Sequence, residues 1–433
     1  MSFFLLILLN ATLMIRPAEV VPALLALPIY QVVIGCCLIV AFPSVVAQLQ
    51  PPLLAARPIS FCVVGMLAAV ILSHLSHFFF WGVRESGYEF LKVVLFYLLM
   101  VGIVDTPQRL VRFMFWLLVF IVVLAAMAVL QFHHVIEIPG LSTLQQNYLD
   151  EATGERMQIA RLVSTGIYND PNDLSLILAE GSLVALYFLM QRRYAGLRWL
   201  ALGPLFLFGY AFALTQSRGG FLAMLLGLLI LFRARYGTRR TIWISLVAVP
   251  AMAAIFSGRM TTISTSDETG QARIQLWSQG LGLFKQYPFF GVGHNLYADE
   301  VEMVAHNSYI HCYAELGFFG GTIFLSAFVI ALWSLYRYGQ KGVVIVNPLL
   351  KGLHPYVLAL VAAHAVGMLT LSRAYVVPTY MILGLATVYL RITPVYPRSP
   401  QLRLNQQLVG RMLALSVAFI LVSYVFVRLF VRW

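Results

Sequence analysis

The sequence predicts an all-α, polytopic membrane protein with about twelve transmembrane helices. Of its 433 residues 61% are apolar and only 11% are charged, whereas an average soluble domain has about 25% charged residues. Such a chain cannot cover itself with a polar surface, which excludes a soluble globular protein. Its 58 aromatic residues (30 Phe, 21 Tyr and 7 Trp) exclude a disordered one. Apolar runs of the roughly 17–25 residues needed to cross a bilayer recur throughout the chain.

These runs are continuous, without the period-two alternation of a membrane barrel, so we predict helices. The first run has no Lys or Arg and no small-residue cleavage site, which predicts an uncleaved span. The predicted spans lie at about 2–15, 22–47, 58–80, 87–104, 110–130, 172–191, 197–216, 219–233, 241–257, 313–336, 354–372, 376–391 and 411–430.

The distribution of basic residues predicts the orientation of the spans. If the N-terminus is cytoplasmic and the spans alternate, the cytoplasmic loops hold most of the 29 Lys and Arg residues, and Asp105 is their only acid. Cytoplasmic loops are normally enriched in Lys and Arg. The net charge of +12 is therefore a topology signal and predicts no nucleic-acid partner. Arg428 and Arg432 conflict with this scheme, because thirteen crossings would leave them outside.

We predict one integral membrane domain over 1–433 with two large extracytoplasmic segments, at about 131–171 and 258–312. Connections longer than about 12–15 residues are usually functional or disordered. Both segments carry aromatic residues, glycine turns and amphipathic stretches, which favours structure and function. The other connections are short, apart from 337–353 and 392–410.

The cysteines and acidic residues predict neither a metal nor a cofactor. Cys36, Cys37, Cys62 and Cys312 form no CxxC pair, and no zinc-binding spacing of Cys and His occurs. The adjacent acids Asp267–Glu268 and Asp299–Glu300 are typical of solvated turns. We therefore expect metal-independent chemistry.

The segment from Gly291 to Gly321 contains three histidines, and His306 is the candidate for catalysis. Histidine titrates unaided between pH 5 and 8, which suits a general base. His306 is expected to open a helix with Ile310 and Tyr313 on its face. The alternative is an interfacial histidine that bonds a backbone carbonyl.

Two further features of this segment bear on His306. The four-residue-spaced small residues Gly317 and Gly320 predict the close approach of a neighbouring helix. Glu315 lies nine residues after His306, on the opposite face of a continuous helix. We therefore expect Glu315 to pair with a different polar group.

Arg218, in the turn between two predicted spans, is a candidate diphosphate ligand. An arginine this close to hydrocarbon costs several kcal/mol unless something compensates it. A guanidinium beside Gly219 and Gly220 can donate two parallel hydrogen bonds, while the bare backbone leaves room for the ligand. The alternative is a side chain that extends to a lipid headgroup.

Two more outer-face arginines are candidate anion ligands. Ile274, Trp277, Leu281 and Phe284 form an apolar stripe that predicts a helix lying in the membrane interface. Arg273 would then occupy its first turn, where free amides favour an anion. Arg161 precedes a helix-entry signal in which Asn172 or Asp173 is the expected N-cap. The plain alternative for each is an ordinary polar-face charge; Arg373 is a weaker candidate.

These motifs resemble those of the bacterial O-antigen ligase family. His306-Asn307, the nine residues 308–316 and Gly317-Phe-Phe-Gly320 fit the family's histidine signature. Arg218 and Leu222 fit its Arg-x3-Leu pattern, and the stretch from Arg273 to Gly293 is similar to its large periplasmic loop. The resemblance covers roughly 160–390.

The resemblance implies an inner-membrane glycosyltransferase of the multi-span, GT-C-like class with a periplasmic active site. Such ligases transfer a finished glycan from undecaprenyl diphosphate to a sugar hydroxyl of lipid A–core, without metal or cofactor. On this basis His306 is the general base, and Arg161, Arg218 and Arg273 bind the diphosphate. An O-antigen polymerase and a protein O-oligosaccharyl ligase are alternatives, and a lipid-linked glycan transporter is the alternative from another class.

Overall fold

The computed structural model describes residues 1–139, 141, 143–149, 156–255, 268–397 and 402–432. Within these ranges the chain is mainly helical, with four short strands, which confirms the predicted all-α membrane fold. Ten described helices are long and apolar enough to cross a membrane, and Ser2–Ile15 and Val377–Ile392 are shorter apolar helices. The run predicted at 241–257 lies in the helix Thr238–Ile255, which has Arg239 and Arg240 in its first turn and is not among these ten.

The elements follow one another with few strands between them. The helices are α1 (Ser2–Ile15), α2 (Pro17–Val20), α3 (Ile29–Gln48), α4 (Pro51–Ala56), α5 (Pro58–Leu75), α6 (Phe80–Ile103), α7 (Pro107–Phe132), α8 (Pro171–Met190), α9 (Leu202–Thr215), α10 (Arg218–Tyr236), α11 (Thr238–Ile255), α12 (Glu268–Gln286), α13 (Tyr297–Val301), α14 (Ser308–Tyr338), α15 (Pro348–Gly367), α16 (Val377–Ile392) and α17 (Gln406–Phe430). The strands β1 (Leu144–Leu149) and β2 (Arg156–Arg161) pair antiparallel, as do β3 (Val344–Ile345) and β4 (Val395–Tyr396).

The described chain packs as two compact units. Unit 1 comprises Met1–Val40 and Gln108–Thr262, and unit 2 comprises Ala41–Pro107 and Ile263–Trp433. The single membrane domain over 1–433 stays a prediction.

In unit 1, α8 packs against α9 and α10. Pro171 occupies the first turn of α8, where its missing N–H costs nothing. The N-cap is consequently Asp170, whose carboxylate accepts the backbone N–H of Asn172 at 2.7 Å. The expectation that Asn172 or Asp173 caps this helix is wrong, and the Asn172 side chain is available for other bonds.

Unit 2 is built around α14, which packs against α5, α12, α15, α16 and α17. In an apolar 18-residue stretch of α14, 72% of the residues are buried, whereas the share in the corresponding stretch of α17 is 11%. The helix is interrupted at Gly317, whose backbone has a φ of 63°. The interior of unit 2 therefore surrounds a broken helix.

The long helices of unit 2 alternate in direction between two ends, which we call the histidine end and the arginine end. At the histidine end, Ser308 at the start of α14 bonds the carbonyl of Leu371, which follows α15. At the arginine end, Leu404 before α17 bonds the carbonyl of Ala55 before α5. Within unit 2 this alternation agrees with the predicted order of crossings.

Arg432 lies at the histidine end. Its backbone N–H donates to the Gln271 side chain of α12 at 3.0 Å. The C-terminal end of α17 and the segment that begins with α12 thus share one end of unit 2. The order of the helices thus places Arg432 at the histidine end, and the side of the membrane that this end faces stays a prediction.

Candidate functional site

The Arg161 guanidinium of unit 1 is buried in a set of hydrogen bonds. Its Nε donates to the carbonyl of Thr215 at 2.8 Å, and its two terminal nitrogens donate to Gln146 at 2.9 Å and Asn172 at 3.3 Å. Arg161 is only 6% exposed. Hydrogen bonds to a buried charge are stronger than neutral ones and fix its orientation. Arg161 is therefore held at the junction of β2, α8 and α9.

Asn172 links Arg161 to the start of α10. Its side-chain oxygen also accepts the Ser217 hydroxyl at 2.7 Å. Ser217 is the N-cap of α10, because the same hydroxyl oxygen accepts the backbone N–H of Gly220 at 3.1 Å. Arg218 is the first residue of that helix and is half-buried. Unit 1 thus brings together Arg161 and the helix start that carries Arg218.

Gly220 serves helix packing. A Cβ at this position would lie 2.1 Å from the Ser175 hydroxyl of α8. The space beside Gly220 is therefore filled by α8. The expectation that its bare backbone leaves room for a ligand is wrong at Gly220.

His306 of unit 2 lies in a bend just before α14 and is half-buried. Its φ is 49°, in the left-handed region that non-glycine residues rarely adopt. Asn307 is the N-cap, since its side chain accepts the backbone N–H of Tyr309 at 3.1 Å and of Ile310 at 3.2 Å. His306 therefore lies outside the helix, and the expectation that it shares a helical face with Ile310 and Tyr313 is wrong.

Backbone contacts on both sides fix the His306 bend. The Trp277 indole N–H donates to the carbonyl of Ala305 at 2.8 Å. The Ser308 hydroxyl donates to the carbonyl of Leu371 at 2.5 Å and accepts the backbone N–H of Arg373 at 2.9 Å. Unusual backbone geometry held by its surroundings is concentrated at functional sites. These contacts also bring the backbone of Arg373 close to the start of α14.

The break in α14 is filled by the chain segment 288–293. Val292 and Gly293 donate to the carbonyls of Ala314 and Glu315, both at 3.0 Å. Across the break, the N–H of Phe318 donates to the carbonyl of Pro288 at 2.7 Å. These bonds satisfy backbone groups that the interruption of the helix leaves without helical partners.

Gly317 makes this pairing possible. A Cβ at Gly317 would lie 2.3 Å from the carbonyl carbon of Phe289. At Gly320 the nearest atom to an added Cβ is the Cβ of Leu316, in the same helix, at 2.2 Å. The predicted close approach at this glycine pair is therefore made at Gly317 by a loop instead of a neighbouring helix.

Beside the break lies a cluster of the buried His294, His311 and Glu315 with the half-buried Tyr375. The His311 ring contacts the Glu315 carboxylate at 2.9 Å. This confirms the expectation that Glu315 pairs with a polar group other than His306. The carboxylate also accepts the backbone N–H of Tyr297 at 3.1 Å. The rings of His294 and Tyr375 are 4.3 Å apart.

His294 is poorly suited to accept a proton near neutral pH. It is 4% exposed, and burial lowers the pKa of its imidazole to about 4, against the opposing effect of Glu315. A general base works best when its pKa is near the operating pH. Of these two histidines, the half-buried His306 is the better candidate for that role.

Arg273 lies in the second turn of α12, since the helix begins at Glu268. The expected first-turn position is therefore wrong. The apolar stripe of this helix is also covered by protein: Ile274 and Leu281 pack with Val427 of α17, and the rings of Phe284 and Tyr313 are 5.7 Å apart. Arg273 is one helical turn from Trp277, which contacts the residue before His306.

The predicted site residues thus form two pairs. Arg161 and Arg218 belong to unit 1, and Arg273 and His306 belong to unit 2. The sequence argument did not identify Trp277 and Tyr375 as neighbours of the site. Arg373 stands in a short turn between two apolar helices, and its role stays a prediction.

Among the described residues, no group of three or more His, Cys, Asp or Glu side chains is arranged to hold a metal ion. The metal-independent mechanism stays a prediction.

Comparison with known families gives one match. Residues 203–325 match the model of the family described as O-antigen ligase. The matched segment contains Arg218, Arg273 and His306 and the glycine pair of the α14 break; Arg161 and Arg373 lie outside it. No curated protein matches the chain significantly.

Proposed function

We propose that this chain, whose segment 203–325 belongs to the O-antigen ligase family, is the ligase itself. The family membership indicates glycan transfer of the ligase or polymerase type in a multi-pass membrane protein. The proposed reaction moves a preassembled glycan from undecaprenyl diphosphate to a sugar hydroxyl of lipid A–core. It takes place at the periplasmic face of the bacterial inner membrane and needs no metal.

His306 is the proposed general base. Its imidazole takes the proton of the acceptor hydroxyl as that oxygen attacks the anomeric carbon. A bond between acceptor oxygen and sugar forms, the bond between sugar and diphosphate oxygen breaks, and the lipid diphosphate leaves. Attack opposite the leaving group inverts the anomeric centre. A positioned base typically contributes about 10²–10⁴-fold to the rate.

The arginines are the proposed ligands of the leaving diphosphate. Its negative charge grows as the anomeric bond breaks, and donors fixed in advance stabilise such charge without reorganisation. Arg161 supports this role because its guanidinium is buried and oriented by Thr215, Gln146 and Asn172. Arg218 and Arg273 complete the proposed set.

The observation that carries the proposal is the placement of His306. A half-buried imidazole stands in a left-handed bend, with hydrogen bonds from Trp277 and Ser308 fixing the residues on either side. The exposed His134 also has a left-handed backbone, with a φ of 57°, so it is the fixing of both neighbouring residues that distinguishes His306. Preorganisation of this kind is what a base that must meet an acceptor hydroxyl requires.

The test is an assay with purified protein, a lipid-diphosphate glycan and lipid A–core, in which the product is glycan-bearing lipid A–core. His306→Ala should reduce the rate by about 10²–10⁴-fold. Arg218→Lys keeps the charge and loses the planar fork, and should also reduce the rate. The control is His134→Ala, which removes an exposed histidine outside the matched segment.

Each alternative predicts a different result in this assay. A polymerase would lengthen the donor glycan and leave lipid A–core unmodified, a protein ligase would modify an added polypeptide acceptor, and a transporter would form no product. Wild-type activity in His306→Ala would remove His306 from the mechanism.

A further inference from the structure

The arginine end of unit 2 contains a cavity lined by basic residues. A cavity of about 330 Å³ shares lining residues, including Arg337 and Arg391, with a second one of about 970 Å³. Arg57 lines the first, and Arg403 and Arg411 line the second. No described lining residue of either is acidic.

Arg57, Arg337 and Arg391 are half-buried, and hydrogen bonds hold two of them in place. Arg57 hydrogen-bonds the Gln48 side chain, and Arg391 donates to the carbonyl of Val104 at 2.6 Å. A guanidinium has five N–H donors, so one such bond leaves it capacity for an anion. Arg57 and Arg391 line the same cavity, so both positive charges face one space.

The walls of the smaller cavity are largely apolar outside its three arginines. They are formed by Leu53, Ile59, Ile330, Leu390 and Leu402, which come from α4, α5, α14, α16 and the segment before α17. The cavity thus presents guanidinium groups beside hydrocarbon surface. A phosphodiester headgroup with attached acyl chains has the same division into anionic and apolar parts.

A simpler explanation is that these arginines only set the topology. Arginines with that role extend to water or to headgroups at the surface. Arg57, Arg337 and Arg391 instead line a recess between helices and are half-buried. Basic pockets between transmembrane helices on the cytoplasmic side bind anionic headgroups.

We propose that this cavity binds the phosphodiester headgroup of an anionic phospholipid, at the end of unit 2 opposite to His306. The bound lipid bridges α4, α5, α14 and α16 and stabilises unit 2. The site is distinct from the proposed glycan-transfer chemistry, so its occupancy is measured by stability and not by activity.

The experiment uses the full-length protein in a neutral detergent. Its thermal unfolding is followed with added phosphatidylglycerol, phosphatidylcholine or inorganic phosphate. We expect phosphatidylglycerol to raise Tm, and the other two to raise it by less than half as much. The double variant Arg57→Gln/Arg391→Gln should lose most of the phosphatidylglycerol effect.

The matched control is Arg239→Gln/Arg240→Gln, which removes the same charge from exposed positions of α11 and should retain the full effect. An equal response of both double variants would overturn the proposal, and so would an equal response of the wild type to inorganic phosphate. Native mass spectrometry of the wild type in mixed lipid gives a second test. Retention of phosphatidylglycerol in preference to phosphatidylcholine supports the site even if the variant fails to fold, and equal retention contradicts it.

Discussion

The two ends of unit 2 use polar groups in opposite ways. At the histidine end the backbone is bonded on both sides of His306, and the buried Glu315 carboxylate is matched by His311 and Tyr297. At the arginine end, the guanidinium groups of Arg57, Arg337 and Arg391 line a cavity beside apolar side chains. The first arrangement holds one side chain in a fixed position, as a reaction requires, whereas the second offers several cationic groups to one anionic ligand.

The largest effect should follow from Gly317→Ala, which changes the backbone of the histidine end and should reduce the yield of folded protein. The alanine Cβ would collide with Phe289, and the φ of 63° strains any residue with a side chain. We expect little folded protein, measured as the monodisperse fraction in size-exclusion chromatography. Gly410→Ala in α17 is the control, because an added Cβ there meets nothing within 4 Å. Normal yield and activity of Gly317→Ala would show that the loop pairing is dispensable.

Much of this comparison could be read from the sequence. Hydropathy located the helices, and the spacing from His306 to Gly317 marked the segment that matters. The structural role of Gly317 could not be predicted, because a glycine pair in an apolar helix ordinarily indicates packing against another helix. Here the contact is made by residues 288–290, and a helix break filled by a distant loop leaves no periodic signal.

A smaller effect is expected from Trp277→Phe, which keeps the ring packing and removes one hydrogen bond. The indole bond to Ala305 fixes the residue before His306, so its loss should let the imidazole move. We expect the transfer rate to fall by about tenfold, on the order of one hydrogen bond's free energy, with Tm and the phosphatidylglycerol effect little changed. Trp333→Phe is the control, since Trp333 is 52% exposed on α14.

If Trp277→Phe and Trp333→Phe have equal rates, Trp277 does not position His306. A parallel loss of the phosphatidylglycerol effect would show that the two ends are not independent.

The last prediction concerns the pH dependence of stability, to which one residue of the histidine end contributes. The pKa of His294 is lowered from 6.5 to about 4 by burial, so below pH 6.5 the unfolded chain takes up a proton that the folded protein excludes. Stability should therefore fall as pH drops from 6.5 towards 4, by about 3 kcal/mol at most from this residue.

Thermal unfolding at pH 7 and pH 4.5 measures this contribution. The loss of Tm on acidification should be smaller in His294→Gln than in the wild type. Equal losses in the two proteins would mean that His294 is not the titrating group.

Which arginines matter was harder to predict than where the spans lie. Arg161 and Arg218 are joined through Asn172, which the sequence indicated as a helix cap. Pro171 moves the cap to Asp170, and only the folded chain shows that the Asn172 side chain then faces the turn at Ser217. A hydrogen bond between residues 45 positions apart has no local sequence signature.

The interruption of α14 also divides the helix into two parts of fixed length. Nine residues, 308–316, precede Gly317, and 21 residues, 318–338, follow it. At 1.5 Å per residue the second part measures about 31 Å, the thickness of a hydrocarbon core, and the first about 13 Å. The count between histidine and glycine is thus a fixed length, and inserting or deleting one residue would both rotate the start of α14 by about 100° and change the height of His306.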